Sequence, residues 1–216
     1  MYYSFDETKY TPLCEIMGKH GSDKGSIDIT NSWHNYTPFY YSIFKELREK
    51  KLRVFELGLG TNNVDIPSNM GINGIPGASL YGWREFFPNS DIFGADIDTE
   101  ILFNTHNIKT FYCDQTNPYI IKKMWDNPIL QENFDIIIED GLHTFDANVC
   151  FFDNSIHKLK SNGYYIIEDI NYTDKYLFMN KIREWETQYK DCLFTLIKIP
   201  SLCNNTDNSL LIVFKK

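Results

Sequence analysis

The stretch Phe134-Asp-Ile-Ile-Ile-Glu-Asp-Gly-Leu-His143 decides how this chain is read. Phe134 and Ile136 to Ile138 supply an apolar run of strand length, and it stops at two carboxylates. A Gly follows, and a His stands three residues past Asp140. Such a strand puts an acid, a turn and an imidazole on one rim of a sheet, where the acid can hold a metal and the imidazole can take a proton. A second run, Tyr164-Tyr-Ile-Ile167, ends the same way at Glu168-Asp169. Two strands that deliver carboxylates to one edge outline a site.

Outward from these strands, apolar runs alternate with helical spacings. Arg53-Val-Phe-Glu-Leu57 reads as a strand broken by Gly58-Leu-Gly60, Asp91-Ile-Phe-Gly-Ala-Asp96 as the next, and Lys109-Thr-Phe-Tyr-Cys113 as a third. Thr37-Pro38 looks like an N-cap followed by Pro at the first helical position, and Phe39, Ile43, Phe44 and Leu47 extend that helix to about Lys50. Leu80, Trp83 and Phe87 mark a helix, and a helical stretch covers residues 117–131. Thr144 caps a helix carrying Phe145, Val149, Phe152, Ile156 and Leu159, which Asn162-Gly163 ends. Phe178, Ile182, Trp185 and Tyr189 mark a last helix. Leu193 to Ile199 and Ser209 to Phe214 flank a polar turn and read as an antiparallel pair. Residues 1–35 read as a polar lead-in, and Thr61 to Pro76 as a loop whose length favours a lid or binding role. The alternation means a parallel sheet with helices on both faces, whose ligands bind beyond the carboxyl ends of the strands.

Composition narrows the function classes. A length of 216 residues fits one domain with a sizeable core, and 43% hydrophobic with 23% charged residues is ordinary for a globular protein. The net charge of -8 argues against a nucleic-acid binder, which needs clustered Lys and Arg to neutralise phosphates. Five scattered cysteines without a CxxC pair fit buried thiols in a reducing compartment better than disulfides or a zinc site. The start lacks a basic, apolar signal sequence, and no run is long enough to span a bilayer. A cytoplasmic protein is therefore expected, and homo-oligomerisation is left open.

Three features after successive strands carry the chemistry. The Gly turn Glu56-Leu-Gly-Leu-Gly60 lets a ligand approach the backbone, although Asn63 stands where a dinucleotide fingerprint needs a third Gly. Asp96 ends the next strand, well placed to accept from ribose hydroxyls. Cys113-Asp-Gln115 follows the third. Each is weak alone, and their joint order is far more specific.

That order resembles the class I S-adenosylmethionine-dependent methyltransferases. Within them the chain is similar to the metal-dependent sugar O-methyltransferases of macrolide tailoring and bacterial surface-polysaccharide synthesis. The resemblance runs from Gly21-Ser-Asp-Lys24 through Asn35-Tyr36-Thr37 to Asp169. It is most specific at Gly77-Ala-Ser-Leu80 with Trp83-Arg84, at Gly94-Ala-Asp-Ile-Asp98, and at the two acidic strand ends. It implies a Rossmann-like, seven-stranded, mostly parallel α/β sheet with an antiparallel C-terminal strand pair. Residues 1–50 would be an N-terminal segment and helix contributing to the cofactor and acceptor site, and 51–216 the catalytic domain. Glu56, Gly58 and Gly60 would frame the methionine end of S-adenosyl-L-methionine, and Ser79 its carboxylate. Asp96 would hold the ribose, with Asp114 and Gln115 by the adenine. Asp140, Glu168 and Asp169 would bind Mg²⁺, and His143 would be the base. Leu142 stands where the family usually has Ser, and the loop after the Gly turn is longer than usual.

The residues support those roles independently. A sugar hydroxyl is protonated at neutral pH and needs a base, for which His is suited. Mg²⁺ prefers oxygen ligands, and crowded carboxylates need a cation to relieve their repulsion. Lys24 and Tyr36 are candidates for cofactor or acceptor contact, with ordinary loop residues the alternative. Of His20, His34, His106 and His157, His34 alone is placed to reach the site. The expected acceptor is a sugar hydroxyl on a glycan precursor, with O-methylation of a phosphorylated capsule precursor second. Competing readings are a glycosyltransferase using Asp96-Ile-Asp98 as a DxD motif, a dehydrogenase using the YxxxK spacing of Tyr119 and Lys123, and a non-catalytic binding module.

Overall fold

An apolar run with no alternation needs cover on both faces, and the structure, a computed structural model that describes residues 3–216, supplies it. In chain order the elements are α1 (Pro12–His20), α2 (Thr37–Phe44), β1 (Arg53–Leu57), α3 (Ala78–Phe86), β2 (Asp91–Asp96), β3 (Ile108–Tyr112) and α4 (Pro118–Trp125). They continue with β4 (Phe134–Glu139), α5 (Phe145–Ser155), β5 (Leu159–Ile167), α6 (Lys175–Gln188), β6 (Cys192–Lys198) and β7 (Ser209–Lys215). The seven strands form one sheet in the order β3-β2-β1-β4-β5-β7-β6. β1 pairs in parallel with both β2 and β4, and β4 with β5. β7 runs antiparallel between β5 and β6. The expected Rossmann-like sheet with its antiparallel C-terminal pair is the one observed.

Each face has its own core. Phe55, Ile137, Phe151, Phe152, Tyr165 and Trp185 pack beneath α4, α5 and α6, while Tyr40, Phe44, Val54, Trp83, Ile136 and Ile138 pack beneath α1, α2 and α3. Successive residues of β4 therefore serve opposite cores, as a period of two requires. The chain reverses its order of strand addition between β1 and β4, so their carboxyl ends diverge into loops on either side of a crevice.

Four local readings change. The lead-in contains α1: Thr11 caps it by accepting from the Cys14 N–H at 3.4 Å, Pro12 opens it, and Gly21 ends it at φ 80°. The helix expected to run from a Thr37 cap to Lys50 has Tyr36 as its cap and ends at Phe44, continuing only as a 3₁₀ turn through Leu47. The stretch 117–131 divides into α4 and a 3₁₀ turn at Pro128–Leu130. Leu159 belongs to β5 rather than the preceding helix, because the Ile156–Lys158 turn breaks α5 and lets Leu159 pair with Phe134. Its apolar side chain continued the helical spacing only because both elements bury into the same core.

Gly58, with φ at 88°, takes the chain from β1 over the end of β4. A Cβ there would overlap the backbone carbonyl oxygen of Asp140. Gly71 also has positive φ, at 67°, but open space around it. Gly71→Ala should therefore cost only the left-handed backbone strain, about 1–2 kcal/mol, whereas Gly58→Ala should cost ~3 kcal/mol or more. Urea unfolding of the two variants checks this, and equal losses would contradict it.

Candidate active site

Acids, all buried except the part-buried Asp140, converge on the crevice from three strand ends. Glu56 comes from β1, Glu139 and Asp140 from β4 and the residue after it, and Glu168 and Asp169 follow β5. Such a cluster survives burial only with compensation, and Lys24 is at its centre, 2% exposed. Its ammonium lies 2.5 Å from Asp140 Oδ2, 2.6 Å from Glu168 Oε2 and 3.7 Å from Glu56 Oε1. Burial opposes the lysine's charge, but the surrounding carboxylates hold its pKa well above the ordinary value. The sequence left Lys24 between contact and plain loop; it is the internal counter-ion.

Asp140 uses its other oxygen on His143, whose Nε2 lies 3.0 Å away, while His143 Nδ1 lies 3.7 Å from Asp169 Oδ2. Asp140, His143 and Asp169 can each offer one ligand atom, all within 4.8 Å of one another. This grouping brings the imidazole into a candidate metal set together with two of the three expected carboxylates. Glu168 lies outside that set: the Tyr40 hydroxyl donates to one of its oxygens and Lys24 to the other. Asp169 in turn accepts from the Tyr36 hydroxyl at 2.7 Å and has His34 Nε2 at 3.3 Å. The N-terminal segment thus reaches Glu56, Asp140, Glu168 and Asp169, as expected for His34, and Tyr40 joins it unannounced.

The electrostatics follow from this packing. Burial would raise Asp140, but the Lys24 charge and the His143 hydrogen bond hold it well below the usual carboxylate range. Asp169 is pushed up to about 6 by burial, with His34 and His143 opposing. Glu139 is pushed up to about 7, also by burial. For His143 burial disfavours the charge, yet the bond to Asp140 and the charges of Asp169, Asp140 and Glu139 prevail and raise it to about 10.

The glycine turn and the rim open into one cavity of about 750 Å³. Gly58, Gly60, Ser79, Asp96, Asp114, Gln115 and Glu56 all line it, together with Asp140, His143 and Asp169. Glu168 does not line it. Several of these side chains also build the walls. Glu56 accepts from the Ser79 hydroxyl and from Trp83 Nε1 at 2.5 Å, which fastens α3 to β1. Asp96 accepts the N–H groups of Leu59 at 2.7 Å and Asp98 at 2.8 Å, fixing the glycine turn. Gln115 donates to Glu139 at 2.9 Å and accepts the Leu142 N–H at 2.6 Å, tying the third strand's loop to the fourth's. Asp114 holds the N–H and hydroxyl of Thr116. Ser79 lies in the first turn of α3, whose N-terminus faces the cavity through Ala78 and Ser79.

The oxygen donors of Asp140 and Asp169, on a rim with more buried acid than base, suit a hard divalent cation such as Mg²⁺. A cavity lined by both a glycine turn and an acid-imidazole rim suits an elongated, partly polar ligand.

Solved structures with this architecture carry the same sheet. MycE methyltransferase of mycinamycin biosynthesis, in complex with Mg, SAH and mycinamycin VI, aligns over 96% of this chain and 55% of its own, with a TM-score of 0.71 and 21% identity. The fold is that of the class I S-adenosylmethionine-dependent methyltransferases. No protein-family model matches the chain. Among curated proteins, a tetracenomycin 3'-O-methyltransferase of Streptomyces olivaceus, which acts on a rhamnosyl derivative, is 31% identical over 159 residues, 73% of this chain and 36% of its own length. Demethylmacrocin O-methyltransferase of Streptomyces fradiae is 30% identical over 145 residues, 66% of this chain and 34% of its own length. The chain is thus similar to the sugar O-methyltransferases of antibiotic tailoring, and it spans about a third of the length of these curated relatives. Among the described residues, no helix of this methyltransferase fold is long and apolar enough to cross a membrane.

A pH dependence follows from the raised His143. A group whose folded pKa lies above its unfolded value stabilises fully below the unfolded value, here 6.5, and loses that contribution as pH rises through about 10. In metal-free protein the imidazole NMR signals of His143 should therefore titrate near pH 10, and Asp140→Asn should move that titration down. A midpoint near 6.5 in the parent would contradict the ion pair.

Proposed function

We propose that this protein is an S-adenosylmethionine-dependent, Mg²⁺-assisted O-methyltransferase whose acceptor is a hydroxyl of a sugar. The observation that carries the reading is a single cavity lined both by the glycine turn and Asp96 and by Asp140, His143 and Asp169. In this reading the methionine end of the donor lies against Gly58 and Gly60, with its carboxylate at the N-terminus of α3 by Ser79. Glu56 shapes that end, Asp96 accepts from the ribose, and Asp114 and Gln115 flank the adenine. Residues 1–50 close the acceptor side through Lys24, His34 and Tyr36.

Asp140 and Asp169 would hold the metal, with Glu168 beside them on Lys24. Bound there, Mg²⁺ supplies positive charge that makes a neighbouring hydroxyl easier to deprotonate. The chain's own residues do the rest. With the charge of Asp140 and Asp169 offset by the metal, the His143 imidazole would lose the carboxylate field that keeps it protonated; Asp140 orients it through Nε2, and Nδ1 would receive the acceptor proton. The acceptor oxygen then forms its bond to the methyl carbon as the carbon–sulfur bond breaks and its electron pair returns to sulfur. The buried walls hold the two reactants in line and keep water out.

The relatives' names support a sugar acceptor, since the olivaceus enzymes act on rhamnosyl groups and MycE was solved with mycinamycin VI. A capsule or polysaccharide precursor stays within this proposal as a source of that sugar. The competing readings find less support. In the DxD reading, Asp98 accepts from the Thr61 hydroxyl and the Glu100 N–H, so it serves the loop. Tyr119 of the YxxxK spacing is exposed and lies outside the cavity lining.

Calorimetry should detect S-adenosylhomocysteine binding and none by NAD(P) or a UDP-sugar; the reverse would remove the methyltransferase reading. Methyl transfer to an accepted sugar should stop in EDTA and return with Mg²⁺. His143→Ala should lower turnover by about 10²–10⁴-fold while S-adenosylhomocysteine affinity is kept. Parent-like turnover in that variant would take the proton-accepting role from His143.

A further inference from the structure

The four tryptophans of this chain divide sharply. Trp83, Trp125 and Trp185 are core residues at 0%, 2% and 0% exposure, whereas Trp33 is 56% exposed. A large aromatic left in water needs a reason when it lies at the mouth of a cavity. Trp33 lines the same cavity as the acid rim. Its ring meets His34 edge-on at 6.3 Å, and His34 in turn stacks on Tyr36 at 4.9 Å. Both His34 and Tyr36 bond to Asp169. The indole is therefore joined to the reacting rim through a short series of packed rings.

Asp207 lines this cavity too. The Tyr36 hydroxyl contacts its backbone oxygen at 3.3 Å, and Asn204 holds its carboxylate through Oδ1 at 2.6 Å. An aromatic face and an anchored carboxylate lining one cavity suit one ligand chemistry well. The C–H face of a pyranose is apolar and complements the negative face of an indole, while neighbouring hydroxyls donate to a carboxylate. The same cavity disfavours an anion, because Asp140, Asp169 and Asp207 all line it, while Lys24, which also lines it, is 2% exposed and already paired with Asp140 and Glu168.

We propose that Trp33 is the platform on which a neutral pyranose ring of the acceptor lies, with Asp207 receiving its hydroxyls. The inference rests on the methyltransferase reading and narrows its substrate class from glycan precursors in general to uncharged sugar rings. It also gives the segment before α2 a role in choosing the acceptor rather than the donor.

Because Trp33 is the one exposed tryptophan, its emission can be followed directly. Methyl α-L-rhamnopyranoside, added to protein saturated with S-adenosylhomocysteine, should lower acrylamide quenching about twofold as the ring is covered. Trp33→Ala should bind that glycoside about tenfold more weakly, Trp33→Phe should restore most of the affinity, and S-adenosylhomocysteine affinity should not change in either. Rhamnoside 1-phosphate should bind more weakly than the neutral glycoside. The platform is overturned if protein that binds S-adenosylhomocysteine shows no shielding by the glycoside, or if Trp33→Ala binds it as tightly as the parent. Shielding by uridine but not by the glycoside would also overturn it, since the ring would then stack a base. Failure to bind S-adenosylhomocysteine counts against the methyltransferase reading alone, because sugar shielding is read on a different group.

Discussion

The ammonium of Lys24, held between Asp140 and Glu168, is the interaction on which the rest of the site depends. Parallel strands that end in acids put like charges on one edge of a sheet, and burial multiplies their repulsion. Glu56, Asp140, Glu168 and Asp169 are all drawn to that edge by their own strands. One buried lysine binds three of them into a unit and leaves Asp169 to His34, Tyr36 and His143. Two consequences follow. The N-terminal segment cannot be a loose appendage, since removing it would strip the acids of their counter-ion. The rim still carries more carboxylate than cation, which is the condition under which a divalent ion is held.

The same arrangement explains why the site stands where it does. β1 and β4 diverge at the reversal of strand order, and only a glycine with positive φ lets the chain pass over the Asp140 carbonyl. Asp96 then pins the turn through the Leu59 N–H, and Gln115 pins the β4 loop through the Leu142 N–H. Residues suited to touch a cofactor are thus also the residues that build its cavity. Mutation of any of them would disturb both, so the division between wall and ligand contact has to be read from binding as well as activity.

Much of this was written in local sequence. The strands Arg53–Leu57, Asp91–Asp96 and Phe134–Glu139 were bounded by their own apolar runs and acids, and the glycine turn and Asp96 fell at their ends. α1 was also legible, through the Thr11-Pro12 start, Leu13, Ile16 and Met17 at helical spacing, and Gly21 at its close, yet its polar surroundings masked it. Lys24 stood open between a contact and a plain loop residue, and Tyr40 carried no local signal. Their partners lie far along the chain, as with Lys24 to Glu168, and only the packing of α2 and the preceding segment against the sheet brings them together. A buried lysine in a Gly-Ser-Asp-Lys-Gly stretch reads as a surface loop until its counter-charges are placed. The pairing of Glu168 with Lys24 and Tyr40, outside the Asp140, His143 and Asp169 group, was equally hidden, because adjacent acids in sequence face different neighbours in space.

We propose that the rim holds a divalent cation through Asp140 and Asp169. Electron paramagnetic resonance with Mn²⁺ as the probe tests it without any need for an acceptor. One Mn²⁺ should bind per chain, Mg²⁺ should displace it, and Asp140→Asn and Asp169→Asn should each abolish the bound signal while circular dichroism stays that of the parent. A folded parent that binds no Mn²⁺, or binding that survives both substitutions, would contradict the account.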